Sequence, residues 1–337
     1  MNFEDFISEW RNRSDYIVAH TSGSTSEPKE IHISKDFVAN SAKRTISFFK
    51  LTHTSHLHSC VSPEFIGGKM MAVRNELISG VLTWEKPSNE PLKGIGNNVI
   101  LDLVAVVPSQ MDYILKNLNI LPKIRNIIIG GSPIPSKLRK RISDSGLNAY
   151  ETYGMTETAS HIGLRKITNH LEPFKTLPGI KVTINESCCL KIIYDSGEIF
   201  QTNDLAELVS EKEFFIKGRI DDVIITGGKK INPLEIEEKI TPLIPYPFCV
   251  TGFADEKWGE KLVLLIEEKE NEFFRTEIKD KIKDLFDSWM IPKEIIFVNT
   301  LPRTPNGKIK RPKDLSYLSF YCPDIHLFSS KQNTQEL

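Results

Sequence analysis

The sequence has no excess of charge of either sign: 43 Lys and Arg stand against 44 Asp and Glu, a net charge of -1 at pH 7. That balance removes the electrostatic reason to expect a nucleic acid or an anionic membrane as partner. No apolar run approaches the roughly 18–20 residues that a spanning helix needs, so no membrane span is expected. Cysteine is scarce and unpatterned. The five thiols, Cys60, Cys188, Cys189, Cys249 and Cys322, include one adjacent pair and no C-x-x-C. With no signal sequence in view, they read as reduced thiols of a cytoplasmic protein. The N-terminus lacks the basic flank and apolar core of a signal peptide. Phe3, Phe6, Ile7 and Trp10 recur at i, i+3, i+4, i+7 among Glu4, Asp5 and Glu9, which predicts a short amphipathic helix. Internal repeats and low-complexity tracts are also absent.

What is present is a chain of 337 residues, 40% hydrophobic, long enough for about two domains with cores of their own. Residues 98–155 read as successive βα units. Val104–Val107 has a buried-strand pattern, after which Pro108 and Ser109 open a helix carrying Met111, Ile114, Leu115 and Leu118. Ile127–Ile129 repeats the pattern, ends in Gly130-Gly131, and Pro135-Ser136 starts the next helix. This texture predicts an α/β fold with a mostly parallel sheet covered by helices, whose ligands sit beyond the carboxyl ends of the strands. From about residue 180 the runs shorten: 190–194, the turn 195–197, 198–201, 205–209 and 213–217. Their connections are too short for crossovers, so a small antiparallel β subdomain is expected. After Gly218-Arg219 a smaller α+β segment follows, with helices near 233–240 and 275–286 and strands near 248–252 and 261–267. The expected division is therefore 1–219, 220–315 and a polar tail, 316–337.

Four constellations carry chemistry. Thr21-Ser22-Gly23-Ser24-Thr25-Ser26-Glu27-Pro28-Lys29 combines hydroxyls, a glycine and a lysine, a set that suits a polyphosphate. By composition alone a solvated loop is the better reading, and the Walker spacing is absent. Tyr153-Gly154-Met155-Thr156-Glu157 offers an aromatic face for a base, a turn, a hydroxyl and a carboxylate for phosphate and Mg²⁺. Gly218-Arg219-Ile220-Asp221-Asp222, then Gly227-Gly228-Lys229-Lys230-Ile231-Asn232-Pro233, places glycine and charge at the composition boundary, as a hinge would. Finally, Leu301-Pro302-Arg303-Thr304-Pro305-Asn306-Gly307-Lys308 presents one lysine on a constrained loop.

Together and in this order, these motifs resemble the adenylate-forming superfamily of acyl- and aryl-CoA ligases, luciferases and nonribosomal adenylation domains. The resemblance runs from about residue 20 to 311. It implies that fold and two half-reactions: a carboxylate attacks the α-phosphate of ATP to give an acyl-adenylate and pyrophosphate, and CoA thiol then displaces AMP. It further implies that Thr21, Ser22, Gly23, Ser24, Thr25 and Lys29 handle the β- and γ-phosphates. Gly131, Ser132, Tyr153, Gly154 and Met155 line the nucleotide, Tyr153 stacking on adenine. Thr156 touches the α-phosphate, Glu157 holds Mg²⁺, and Asp204 and Arg219 hold the ribose. Asp221 is the hinge of a mobile C-terminal domain. Lys308 bridges carboxylate and α-phosphate, and Gly228 with Lys230 lies on the CoA path. Ser26, Glu30 and Asn203 depart from the usual glycines. Members usually carry a substantial N-terminal subdomain before the phosphate loop, which here begins at residue 21. The chain is thus expected to be truncated at the N-terminus, with the partner subdomain supplied elsewhere or dispensed with, and a homo-oligomer stays open.

The segment 62–74 lies where the family builds its acyl pocket. Arg74, with Ser160-His161 after the Y-G-M-T-E motif, resembles o-succinylbenzoate–CoA ligases of menaquinone biosynthesis. The second carboxylate of that acid needs a cation, and Lys69 or Arg74 would serve, a guanidinium best. Each of the two also reads as an ordinary solvated helix charge, and His161 as a buried, hydrogen-bonded histidine. A fatty-acyl or other aryl-acid ligase, or a non-catalytic nucleotide-binding remnant, stands as the alternative. His53, His56 and His58 near Cys60 form no regular zinc set and read as a strand leading into the acyl pocket.

Overall fold

The structure, a computed structural model, describes residues 1–21, 29–304, 308–314 and 318. The chain separates into two compact units. The first comprises Met1–Asn185, Leu190–Thr202 and Glu207–Phe215; the second comprises Glu186–Cys189, Asn203–Ala206 and Ile216 onward. The division at Ile216 falls ahead of the expected 219/220 step. It also places Asp204 with the smaller unit.

The N-terminal unit begins with α1 (Phe3–Arg11), closed by a reciprocal cap in which Asn2 Oδ1 accepts from the Asp5 N–H at 2.7 Å. Phe3 and Phe6 are its buried face, as the periodicity predicts. The hairpin Tyr16–His20/Glu30–Ser34 follows, in which Tyr16 pairs with Ser34 and His20 with Glu30. Then come α2 (Lys35–Phe49), capped by Ser34 at the Phe37 N–H, and α3 (Ile66–Ile78). Two short helices, α4 (Met111–Lys116) and α5 (Ser136–Asp144), complete the crossovers.

Eleven strands make one mixed sheet. Five of them run parallel, in the spatial order Ala149–Met155, Ile127–Ile129, Leu103–Val106, His56–Ser59, Val81–Trp84. Beyond Ala149–Met155 the strand Ser160–Lys166 pairs antiparallel. It is followed outward by Phe174–Thr176, Glu213–Arg219, Ile199–Ser210, Cys189–Tyr194 and Ile180–Ile184. The antiparallel strands of the expected β subdomain therefore continue the parallel sheet by edge pairing. The two predicted short strands at 198–201 and 205–209 are one strand, Ile199–Ser210. The polar Thr202 continues it because its hydroxyl donates to the Leu190 carbonyl at 2.9 Å.

Each face of the parallel half has its own core. Leu57, Met71, Leu103, Ala105 and Ile128 pack on the face of α2 and α3. Cys60, Val104, Val106, Met111, Ile127, Ile129 and Ile142 pack on the face of α4 and α5. Period-2 alternation along the strands sorts side chains between them.

The C-terminal unit has a five-stranded sheet built from Lys229–Ile231, Ile224–Thr226, Gly259–Glu267, Phe248–Asp255 and Glu294–Val298. Glu294–Val298 runs parallel to Gly259–Glu267. Its helices are α6 (Pro233–Ile240), with Pro233 in the first turn and Asn232 as cap, and α7 (Glu272–Lys283), capped by Asn271. Ile236, Ile240, Ile278 and Ile282 bury against Val250, Leu262, Leu264 and Ile266.

Candidate active site

The Y-G-M-T-E motif forms the end of strand Ala149–Met155 and the turn beyond it. Met155 pairs with Ser160 and Gly154 with His161. A Cβ at Gly154 would lie 2.2 Å from the Ser160 carbonyl oxygen, so only glycine permits this pairing. Thr158 locks the turn: its hydroxyl accepts from the Met155 N–H at 3.0 Å and donates to the Ser160 carbonyl at 2.7 Å. Ala159 and Ser160 are held at φ 49° and 82°, strained values for residues with side chains. The Thr156 hydroxyl reaches the His20 carbonyl at 3.5 Å.

That contact sets Thr156 beside the base of the hydroxyl-rich loop. The Thr21 N–H donates to the Lys29 carbonyl at 2.9 Å, and the Lys29 N–H donates to Thr21 Oγ1 at 3.2 Å. These two bonds pinch the loop's ends together at the tip of the hairpin. Ser22, Gly23, Ser24 and Thr25 lie outside the described residues. Glu157 is half-buried and makes no hydrogen bond or ion pair among the described residues. Its oxygens are free for a hard cation. The Tyr153 ring is steadied by Phe174 and Phe214, at centroid distances of 5.7 and 5.3 Å. Gly131, at φ +93°, turns the chain after strand Ile127–Ile129, and Ser132 lines an open cleft with Pro108 and Ser109.

The acid-pocket candidates separate. Lys69 Nζ lies 3.7 Å from the Glu9 carboxylate and 4.4 Å from the Phe6 ring centre, so it is committed to α1. Arg74, five residues on and so roughly 140° further around the helix, is 1% exposed. Its Nη1 lies 3.6 Å from Met71 Sδ, while Nε and Nη2 have no hydrogen-bond partner among the described residues. Burial pulls its pKa down to about 9, which leaves a cation at neutral pH. His161 is buried nearby, its Nε2 2.9 Å from Thr45 Oγ1 on α2. Burial first and the Arg74 charge second hold this imidazole well below its ordinary value, so it is neutral. Ser41 on α2 donates to the Ala159 carbonyl at 2.8 Å, which seats the helix on the same turn. Arg74, His161 and the adjacent Ser160 therefore belong to one neighbourhood. Thr45, which completes it, was not read from the sequence, because a lone hydroxyl within a helix carries no local signal.

The C-terminal unit gathers the remaining candidates. Arg219 bridges Asp204 Oδ1 at 3.1 Å and Asp221 Oδ2 at 2.7 Å. Asn203 Nδ2 donates to the Asp221 carboxylate at 3.1 Å. Lys308 stands in the same electrostatic cluster: burial and then Arg219 lower its pKa, while Asp222 and Asp204 oppose them. Its backbone is fixed by mutual bonds with Thr304, the Thr304 N–H to the Lys308 carbonyl at 2.8 Å and the Lys308 N–H to Thr304 Oγ1 at 3.1 Å. Arg311 grips the Glu237 carboxylate with two nitrogens and lies 3.4 Å from Asp222. Gly228 sits at φ +77° with open space where a Cβ would project, and Lys230 is exposed. A feature unread in the sequence is Trp258, 40% exposed, with Lys257 and Lys293 Nζ at 5.0 and 5.9 Å from its ring centre. The Gly227 N–H donates to its carbonyl at 2.8 Å. Lys257 is its neighbour in the chain, and only the pairing of distant strands brings Lys293 to it.

Comparison with known proteins adds sequence kinship to this geometry. The profile of the family described as AMP-binding enzyme matches residues 6–218, and that of the AMP-binding enzyme C-terminal domain matches residues 248–308. A 2-succinylbenzoate–CoA ligase of Listeria innocua is 28% identical over 92% of this chain and 71% of its own length. A long-chain-fatty-acid–CoA ligase of Mycobacterium tuberculosis is 25% identical over 87% of this chain and 65% of its own. Among solved structures, an acyl-CoA synthetase (AMP-forming)/AMP-acid ligase II-like protein of Dyadobacter fermentans is 33% identical. It covers 90% of both chains with a TM-score of 0.59. The o-succinylbenzoate CoA synthetase of Bacillus subtilis shares the fold at 21% identity, covering 87% of this chain and 67% of its own, with a TM-score of 0.75.

Proposed function

This chain belongs to the family of AMP-binding enzymes and is an AMP-forming acid–CoA ligase, and from that premise we propose that the acid it activates is 2-succinylbenzoate. Arg74 carries the proposal. A buried guanidinium with two unpaired nitrogens is costly, and an anionic ligand would remove the cost. A fatty acid or a benzoate spends its one carboxylate on adenylation and leaves nothing for Arg74. 2-Succinylbenzoate brings a second carboxylate that two guanidinium N–H groups fit in a bidentate grip. Neutral His161, steadied by Thr45, then supports the same end of the acid without adding a second charge. The activity for which the Listeria innocua relative is named agrees with this choice.

The reacting carboxylate attacks the α-phosphorus, an O–P bond forms, and the bond to the β-phosphate breaks to release pyrophosphate. In our reading Thr21, Ser22, Gly23, Ser24, Thr25 and Lys29 hold the leaving phosphates, and Thr156 and Lys308 steady the charge gathering on the α-phosphate. Glu157 is the residue that would hold Mg²⁺, which neutralises phosphate charge. Gly131, Ser132, Tyr153, Gly154 and Met155 enclose the base, and Asp204 with Arg219 holds the ribose. The CoA thiol then attacks the acyl carbonyl and AMP leaves, with Gly228 and Lys230 flanking the pantetheine and Asp221 as the pivot between steps. Trp258, with its two lysines, suits a flat base and phosphate of CoA. We place the reaction in the cytoplasm, in keeping with cysteines that form no disulfide among the described residues. No helix among the described residues is long and apolar enough to cross a membrane.

Thioester formation, followed by mass spectrometry, is the test. With 2-succinylbenzoate, benzoate, a medium-chain fatty acid and a short aliphatic dicarboxylate supplied together, 2-succinylbenzoyl-CoA should dominate. Dominance of either monocarboxylate removes Arg74 from its role, and dominance of the short dicarboxylate keeps the role but replaces the acid.

A further inference from the structure

On the face of the parallel sheet turned away from α3, three side chains converge that the ligase reaction does not use. His58 and Cys60 alternate along and just beyond strand His56–Ser59. Glu85 follows the neighbouring edge strand Val81–Trp84. One ligand atom from each, the His58 nitrogen, Cys60 Sγ and a Glu85 oxygen, lies within 4.8 Å of the others. His58 and Cys60 are each 1% exposed. The sequence could not show this group. His56 and His53, its nearest candidates, are elsewhere: His56 Nε2 bonds Thr83 at 2.9 Å, and His53 is exposed. The third member comes from a residue beyond a helix and a strand.

The hydrogen bonds leave His58 with one nitrogen aimed into the group. Its Nδ1 is 2.8 Å from Thr83 Oγ1, while its buried Nε2 has no hydrogen-bond partner among the described residues and stands 3.9 Å from Glu85 Oε1. Glu85 Oε1 is itself anchored by the Leu92 N–H at 2.9 Å. With Nδ1 donating to the hydroxyl, the Nε2 lone pair faces the Cys60 sulfur and the Glu85 carboxylate, and once the Cys60 thiol gives up its proton three electron-rich atoms are turned on one another. Such an arrangement is relieved by a cation at their centre. A second-shell bond that fixes a histidine ring by its other nitrogen is also the usual support of a metal ligand.

We propose that His58, Cys60 and Glu85 bind one zinc ion, which staples the sheet's edge strand and the 85–92 segment to the end of strand His56–Ser59. Thiolate, imidazole and carboxylate favour zinc over hard cations, and three protein ligands leave a fourth position to water. On binding, the sulfur–zinc bond replaces the Cys60 S–H bond and the proton passes to the buffer, so one proton is released per ion. Thiolate and carboxylate together balance the charge of the ion. Glu85, its side chain 21% exposed, is the ligand with room to move inward.

Cobalt(II), read by absorption, tests the site in the full chain after metal removal. The expected result is one cobalt per chain with a thiolate-to-cobalt band, displaced by zinc. The band should vanish in Cys60→Ser and persist in Cys188→Ser. Thr83→Val, which removes the hydroxyl that His58 Nδ1 shares with His56 Nε2, should weaken binding by about 10–100-fold and keep the band's shape. The unaltered protein needs no substitution to answer: if it gives no thiolate band, or if the band survives Cys60→Ser, the site is refuted and the cluster is a buried imidazole–carboxylate pair beside a thiol.

Discussion

A charge buried without a partner is a more specific signal than a charge at the surface, and Arg74 is the clearest instance in this molecule. The sequence separates it from Lys69 only by its guanidinium and by the resemblance that points to Arg74. Both are cations on one helix, and the direction in which the helix faces decides that Lys69 meets Glu9 while Arg74 meets no carboxylate among the described residues. Arg74→Met keeps the volume and removes the charge. It should lower kcat/KM for 2-succinylbenzoate by at least about 10²-fold, roughly 3 kcal/mol of lost charge-assisted bonding. The same variant should melt at an equal or higher temperature, because an unpaired buried charge is replaced by apolar packing. Steady-state kinetics and a thermal melt on one preparation check both halves. His161 makes a prediction in pH. The folded protein holds its imidazole well below the ordinary value of 6.5. As pH falls through that value, the unfolded chain therefore takes up a proton that the folded chain refuses, and stability drops. His161→Gln should flatten this loss between about pH 6.5 and 5, as urea unfolding at several pH values would record.

The elements were legible where their patterns are local. The apolar period of α1, the Asn232–Pro233 start of α6 and the buried runs read at 104–107 and 127–129, the first observed one residue earlier as Leu103–Val106, all lie in contiguous residues. Strand Glu294–Val298 was not read, since only its pairing beside Gly259–Glu267 makes it a strand. The start of α7 was placed late because Asn271, whose side chain accepts from the Phe274 N–H, reads equally as a loop residue. At this scale Gly68 has a definite role. A Cβ there would stand 2.2 Å from the Ser62 carbonyl oxygen, so α3 seats against the 61–65 loop only with glycine in its first turns. Gly68→Ala should cost about 1–3 kcal/mol of stability by overpacking, measured by chemical denaturation. It should also impair use of 2-succinylbenzoate, since the helix that must shift carries Arg74.

For the whole molecule, the order of motifs from the hydroxyl-rich loop to the lysine loop made the family readable, because each motif is a short stretch with its own chemistry. The grouping of Asp204 and Arg219 with the smaller unit was not readable, since it depends on which distant residues Asn203 and Asp221 touch. Two half-reactions that use different residues of that unit should come apart by substitution. Lys308→Ala should slow adenylation by about 10²–10³-fold, the usual effect of removing one oriented charge donor, and still convert supplied acyl-adenylate to thioester. Gly228→Leu, which fills open space on the proposed CoA path, should spare adenylation and block thioester formation. Equal damage to both steps in either variant would contradict the division of labour. The most direct measurement of the central claim is ATP–pyrophosphate exchange by the unaltered chain without CoA. It should run with 2-succinylbenzoate and stay at background with benzoate or a fatty acid. A chain that exchanges with no acid at all would contradict the account.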